Sequence, residues 1–129
     1  MLLNNLYKIL LLEKDSNGYM VKAQIELNPG HPIFDGHFPG NPVLPGVCTV
    51  QIIREILEQV MDKPLWMTGA TNIKYLGFIV PTNQPRVEYV LQLKHTDEGV
   101  LTCSASVLSN GTAVCSFKGE FRAEVGGNR

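Results

Sequence analysis

GHFPGNPVLPG, from Gly36 to Gly46, is the stretch on which the reading of this chain turns. It sets three glycines and three prolines around a single histidine, His37. Proline fixes φ near −65° and removes a donor, whereas glycine reaches conformations that strain other residues. An imidazole held in such a frame can be aimed. Around this stretch, residues 28–46 show no hydrophobic periodicity, and nine of the nineteen are Pro or Gly, which marks a long loop. Loops of that length in a compact domain are usually functional or disordered. Apolar Ile33, Phe34, Phe38, Val43 and Leu44 argue for an ordered one.

Downstream, the spacing predicts a helix from about Gly46 to Met61, stopped by Lys63-Pro64 because proline disfavours helical geometry in the residue before it. Val50, Ile52, Ile53, Ile56, Leu57, Val60 and Met61 fill a wide apolar arc of that helix. Gln51, Arg54, Glu55 and Glu58 share a narrow polar stripe. Upstream, residues 5–14 and 19–27 read as strands of a hairpin turned by Asp15-Ser16-Asn17-Gly18, with Val21, Ala23, Ile25 and Leu27 alternating against polar neighbours. Four further strand-like segments follow the helix, at about 65–78, 85–95, 100–109 and 112–124. Asp97-Glu98-Gly99 and Ser109-Asn110-Gly111 supply hairpin signals. Two strands, a loop, one covered helix and an antiparallel meander fit an α+β fold whose sheet wraps around the helix.

The 129 residues fit one domain, 1–129, with 125–129 as a frayed tail. A formal charge of −1 without runs of like charge gives no electrostatic footprint for nucleic acid. Cys48, Cys103 and Cys115 have no metal-ligand spacing and are expected as reduced thiols in the core, with no metal and no cofactor. The apolar run Ile9–Leu12 is bracketed by Lys8 and Glu13 and is too short to span a bilayer, so the expectation is a soluble cytoplasmic protein.

GHFPGNPVLPGV followed by TVQIIREIL resembles the hot-dog-fold 3-hydroxyacyl-acyl-carrier-protein dehydratases of bacterial fatty-acid synthesis. Pro32-Ile33-Phe34-Asp35 resembles the family's lead-in. Asn72 to Phe78, followed by Pro81, resembles its strand and turn after the helix, so the likeness runs from about residue 30 to 124. The resemblance implies a homodimer or larger homo-oligomer with active sites at the subunit interface and a tunnel for an acyl chain on the phosphopantetheine of acyl carrier protein. It implies that His37 removes the α proton of a thioester while a helix acid assists departure of the β-hydroxyl. It also gives the backbone amide at Gly46 the thioester oxygen. On physical grounds, an imidazole with an unperturbed pKa of about 6.5 suits a general base. Unpaired N–H groups at Gly46 and Val47 suit a developing enolate.

The chain departs from the family at Gln51, fourteen residues after His37, where relatives carry Glu or Asp. An amide donates and accepts hydrogen bonds but does not deliver a proton, and general acid catalysis is worth about 10²- to 10⁴-fold. Three readings follow. In one, His37 returns the α proton to the leaving oxygen while Gln51 holds it. In another, Glu55, one turn along, is the acid; the bland reading of Glu55, weighed above it, is a solvent-facing stripe with Arg54 and Glu58. In the last, the subunit binds acyl chains and pairs with a complete homologue as a hetero-oligomer. A hot-dog thioesterase is a further alternative, against which the GHFPG loop speaks. Phe38, Pro39, Tyr75 and Phe78 are expected along the acyl tunnel, with Tyr75 or Phe78 either gating it or packing in the core. His31 and His95 are expected at the surface. Arg54, Lys74, Arg86, Lys118 and Arg122 are read as scattered surface charge ahead of a carrier-protein patch.

Overall fold

Alternation of apolar and polar residues needs a partner to hide one face, and the strands that alternate here find one. The computed structural model describes residues 1–35, 42–96 and 99–123. It contains β1 (Tyr7–Lys14), β2 (Met20–Leu27), a 3₁₀ turn (Pro32–Phe34), α1 (Gly46–Met61), β3 (Leu65–Tyr75), β4 (Arg86–His95), β5 (Val100–Ser109) and β6 (Thr112–Ala123). The strands form one six-stranded antiparallel sheet in the order β1-β2-β4-β5-β6-β3. The sheet and single helix are those of the hot-dog fold.

Register follows the period of two. Val21, Ala23, Ile25 and Leu27 of β2 are buried, as are Val87, Tyr89, Leu91 and Leu93 of β4 and Leu101, Cys103, Ala105 and Val107 of β5. These side chains share one buried core with Ile52, Ile53, Ile56 and Leu57 of α1, each with no exposed surface. Burying such side chains stabilises by about 1.5–3 kcal/mol each, which is why the helix is held inside the sheet. The turn between β5 and β6 places Asn110 and Gly111 at φ 53° and 77°, the left-handed pair that matches the twist of a tight hairpin. Tyr89, wholly buried, donates its hydroxyl to the carbonyl of Thr49 at 3.1 Å and so fixes the first turn of α1 over β4. All three cysteines are buried and unpaired.

β3 is shorter than its apolar run predicts. It ends at Tyr75 rather than 78, because the N–H groups of Leu76 and Gly77 both turn to one carbonyl, that of Val114, at 2.8 and 3.2 Å. It is also an edge strand, and Trp66, Met67, Ile73 and Tyr75 on it are exposed, as are Leu76 and Phe78 beyond it. The helix closes where Lys63-Pro64 requires, with Asp62 in the left-handed region at φ 54° and its N–H on the carbonyl of Glu58. Among the described residues no helix is long and apolar enough to cross a membrane.

Candidate active site at the start of the buried helix

Pro45 begins α1 and carries no side chain able to cap it, so the opening turn keeps backbone donors free of a side-chain partner. The helical bonds start with the N–H groups of Cys48 and Thr49 on the carbonyl of Pro45, at 2.9 and 3.3 Å. Gly46 and Val47 therefore present the positive end of the helix dipole with their N–H groups unspent on the helix. Two links set where this end points: Leu44 N–H donates to the carbonyl of Ile79 at 2.9 Å, and Tyr89 grips Thr49 from beneath.

Gly46 lies under the ring of Tyr75. A Cβ built on Gly46 would stand 2.7 Å from two ring carbons and 3.0 Å from the hydroxyl oxygen, so any side chain here displaces the ring. Beside this contact opens a pocket of about 310 Å³ lined by Gly46, Thr49, Tyr75, Phe78, Val114 and Cys115 together with the Val43–Pro45 segment and Gly77 and Ile79. Its wall is predominantly apolar. Burial pushes the Cys115 thiol up, and burial, with Cys115 next, does the same to the Tyr75 phenol, so both are neutral walls rather than nucleophiles.

Of the residues singled out from the sequence, the pocket unites Gly46, Tyr75 and Phe78. Tyr75 and Phe78 are 55% and 75% exposed, which corrects the option that one of them packs in the core. Val47 is 75% exposed and Gln51 half-buried; neither lines this pocket. His37, Phe38 and Pro39 lie outside the described residues.

The polar stripe of α1 is where the structure departs most from the sequence reading. Glu55 is completely buried, not solvent-facing. Its Oε2 accepts from the N–H of Leu2 at 2.9 Å and from the side-chain amide of Gln51 at 2.8 Å; its Oε1 accepts from the N–H of Leu3 at 2.9 Å and from the Tyr7 hydroxyl at 2.8 Å. Burial alone would push this carboxyl up. The four donors, Leu2 first, then Gln51, Tyr7 and Leu3, outweigh it and hold the group below its ordinary value. Tyr7 in turn is pushed up, by burial first and then by its bond to Glu55. Glu58 is half-buried and accepts from the Leu65 N–H at 2.8 Å, so it ties the helix end to β3. Arg54 is half-buried, and its Nε has no partner among the described residues.

His31 likewise differs from expectation. It is half-buried and its Nδ1 accepts from the Ile33 N–H at 3.0 Å, capping the turn that begins at Pro32. Proline at the first position after a cap was the local signal for it. His95 is exposed as expected. Arg86 is paired with Glu26 at 3.6 Å, and Lys8 with the same carboxylate at 3.3 Å, both near the surface. Thr49 and Cys115 enter the pocket wall without any prior signal, since a small residue in a helix turn or on a strand carries no mark of what it faces. Among the described residues no three His, Cys, Asp or Glu side chains converge as a metal site.

Comparison with known proteins agrees with the fold and narrows the class. Residues 13–118 match the ApeI-like family, described as ApeI dehydratase. The 3-hydroxyacyl-[acyl-carrier-protein] dehydratase FabZ of Haemophilus influenzae (strain 86-028NP) is 26% identical over 128 residues, covering 91% of this chain and 85% of its own. Among solved structures, an uncharacterized protein from Erwinia carotovora subsp. atroseptica superposes with a TM-score of 0.67 at 25% identity, over 89% of this chain and 94% of that one. The dehydratase heterocomplex ApeI:P from Xenorhabdus doucetiae does so with a TM-score of 0.64 at 18% identity, over 88% and 96%, and so shares the fold.

Proposed function

Because the chain belongs to the ApeI-like dehydratase family, we propose that it removes water from a 3-hydroxyacyl thioester carried on acyl carrier protein, giving the trans-2-enoyl thioester. The observation that carries the reading is the uncapped start of α1 at Gly46, set beneath Tyr75 at the edge of an apolar pocket. A thioester oxygen within reach of those N–H groups has its developing negative charge met by fixed donors, and the pocket accepts the acyl chain. His37 takes the α proton. The Cα–Cβ double bond forms as the Cβ–O bond breaks, and the imidazolium returns its proton to the departing oxygen as water. Gln51 orients that oxygen and supplies no proton.

Glu55 is not assigned the acid's role. An N–H group can only donate, so both of its oxygens are engaged as acceptors, and the carboxyl is held ionised. The exposed apolar edge of β3 suits pairing with a second copy, which would cover Trp66 and Ile73 and bring two sites to one interface.

The test is incubation with a 3-hydroxyacyl thioester of acyl carrier protein while enoyl absorbance is followed. Turnover abolished by His37→Ala is expected; no turnover, or turnover indifferent to that change, overturns the reading. Gln51 motivates a second reading, an acyl-binding subunit that works beside a homologue bearing the acid. Under it the protein alone is nearly inert, Gln51→Glu raises the rate sharply, and mixing with such a homologue restores activity.

A further inference from the structure

We propose that Glu55 is a positioning residue for Gln51: by engaging the amide NH₂ it fixes which way the side chain faces and leaves Oε1 as the acceptor offered to the substrate's 3-hydroxyl.

The two groups lie one helical turn apart, Gln51 Nε2 donating to Glu55 Oε2 at 2.8 Å. The orientation of a glutamine amide is set by its hydrogen-bond network, and here the network leaves one solution. Glu55 Oε2 also receives the Leu2 N–H, and Oε1 receives the Leu3 N–H and the Tyr7 hydroxyl. A carboxylate saturated by donors can only accept from Gln51, so the NH₂ must face it and the carbonyl oxygen must face away. A flipped amide would set its oxygen against a buried carboxylate oxygen. The anchor is itself rigid: Glu55 has no exposed surface, and its donors come from the start of the chain and from β1, packed against the helix. Gln51 as a whole is only half-buried, whereas Glu55 has no exposed surface, so the amide is held from its buried side.

The consequence is chemical and rests on the dehydratase reading above. A hydroxyl whose hydrogen is bound to Oε1 turns its lone pairs elsewhere, toward the group that must deliver a proton to it. Gln51 then selects the rotamer of the 3-hydroxyl, and the proton for the departing oxygen comes from the imidazolium of His37. A glutamine in this place thus acts by geometry, and the geometry is held by Glu55.

The experiment is a double-substitution cycle with a 3-hydroxyacyl thioester of acyl carrier protein, using Glu55→Gln, Gln51→Ala and the pair. Glu55→Gln is expected to lower kcat by about tenfold or more, as misplacement of a reacting group does, with KM changed less than about twofold. In the Gln51→Ala background the same change should leave kcat within about twofold, because nothing remains to be oriented. Equal losses in both backgrounds would mean that Glu55 serves the fold alone, and would overturn the proposal. The Gln51 side-chain NH₂ resonances, assigned by their loss in Gln51→Ala, give a readout without turnover. One proton protected from solvent exchange in the unsubstituted protein is expected; a pair exchanging like those of exposed glutamines would overturn it, including where Glu55→Gln does not fold. A protected pair in a protein that shows no turnover would leave the orientation standing and remove the dehydratase reading.

Discussion

Gly46→Ala separates the site from the fold. The added Cβ would stand 2.7 Å from Cε1 and Cζ of Tyr75 and 3.0 Å from its hydroxyl oxygen. Carbon atoms rest at about 3.5–4.0 Å, so the ring must withdraw by about 1 Å. Tyr75 is 55% exposed and can do so toward solvent, at about 0.5–1.5 kcal/mol for leaving its rotamer. Alanine recovers at most about 1 kcal/mol relative to glycine, and less at this first helical position than in an interior, so the net change is small. The melting temperature should therefore move by less than about 4 °C. The site fares differently, because the same displacement shifts the pocket wall against the free N–H groups of the helix start. A misplacement of about 1 Å can cost about 10²-fold, and kcat/KM for a 3-hydroxyacyl thioester should fall by between about 10- and 100-fold. Thermal denaturation and steady-state kinetics on one preparation make the comparison. Unchanged kcat/KM in a protein of unchanged stability would refute the placement of the thioester against this helix end.

Three further outcomes follow from the same geometry. Glu55 is held below its ordinary value of 4.5, so the unfolded chain binds its proton more tightly than the folded one does. Its contribution to stability is whole above that value and is lost as pH falls below it; the urea midpoint should drop on going from pH 6 to pH 3, and drop less in Glu55→Gln. At pH 7 that substitution keeps the shape but sets an NH₂ against donors, at a cost of about 3 kcal/mol or more; a midpoint equal to that of the unsubstituted protein would sink the account. Burial pushes the Cys103 thiol up to about 12, so iodoacetamide at pH 8 should label it only on unfolding; rapid labelling of native protein would contradict its place in the core. Replacing Trp66 and Ile73 by glutamate puts charge on the exposed edge of β3, and under the proposed pairing through that edge sedimentation should show a two-chain mass fall to that of one chain, with the fold retained. A mass unaffected by both changes, or already that of one chain beforehand, would show that β3 is not the interface.

The parts of the fold legible in the sequence are those whose cause is local. Alternation in β2 and β4, the Asn110-Gly111 turn and the Lys63-Pro64 stop each depend on neighbouring residues, and each appears where its pattern predicts. The 3₁₀ turn capped by His31 is equally local and signalled by Pro32, although the expectation for His31 is only a surface position. Glu55 was of another kind. Its spacing on the polar stripe is the same whether that stripe meets water or protein, and the donors that enclose it stand 52 and 53 residues away at Leu3 and Leu2. Nor could periodicity tell that the apolar residues of β3 face outward. An edge strand and a central strand share the same pattern, and only the order of the sheet decides which is which.

Local pattern in the sequence accounts for most of the elements, though not for the end of β3 or the 3₁₀ turn, and for the helix that the sheet must cover and the loop whose glycines and prolines lead into Gly46. Tertiary structure decided the chemistry of the helix surface: which of its polar residues is an anchor, which faces outward, and how close Tyr75 comes to Gly46. The reason is physical. Backbone preference and hydrophobic period act over a few residues, whereas the ionisation of a carboxylate and the aim of an amide are set by whatever donors the completed fold brings within 3 Å.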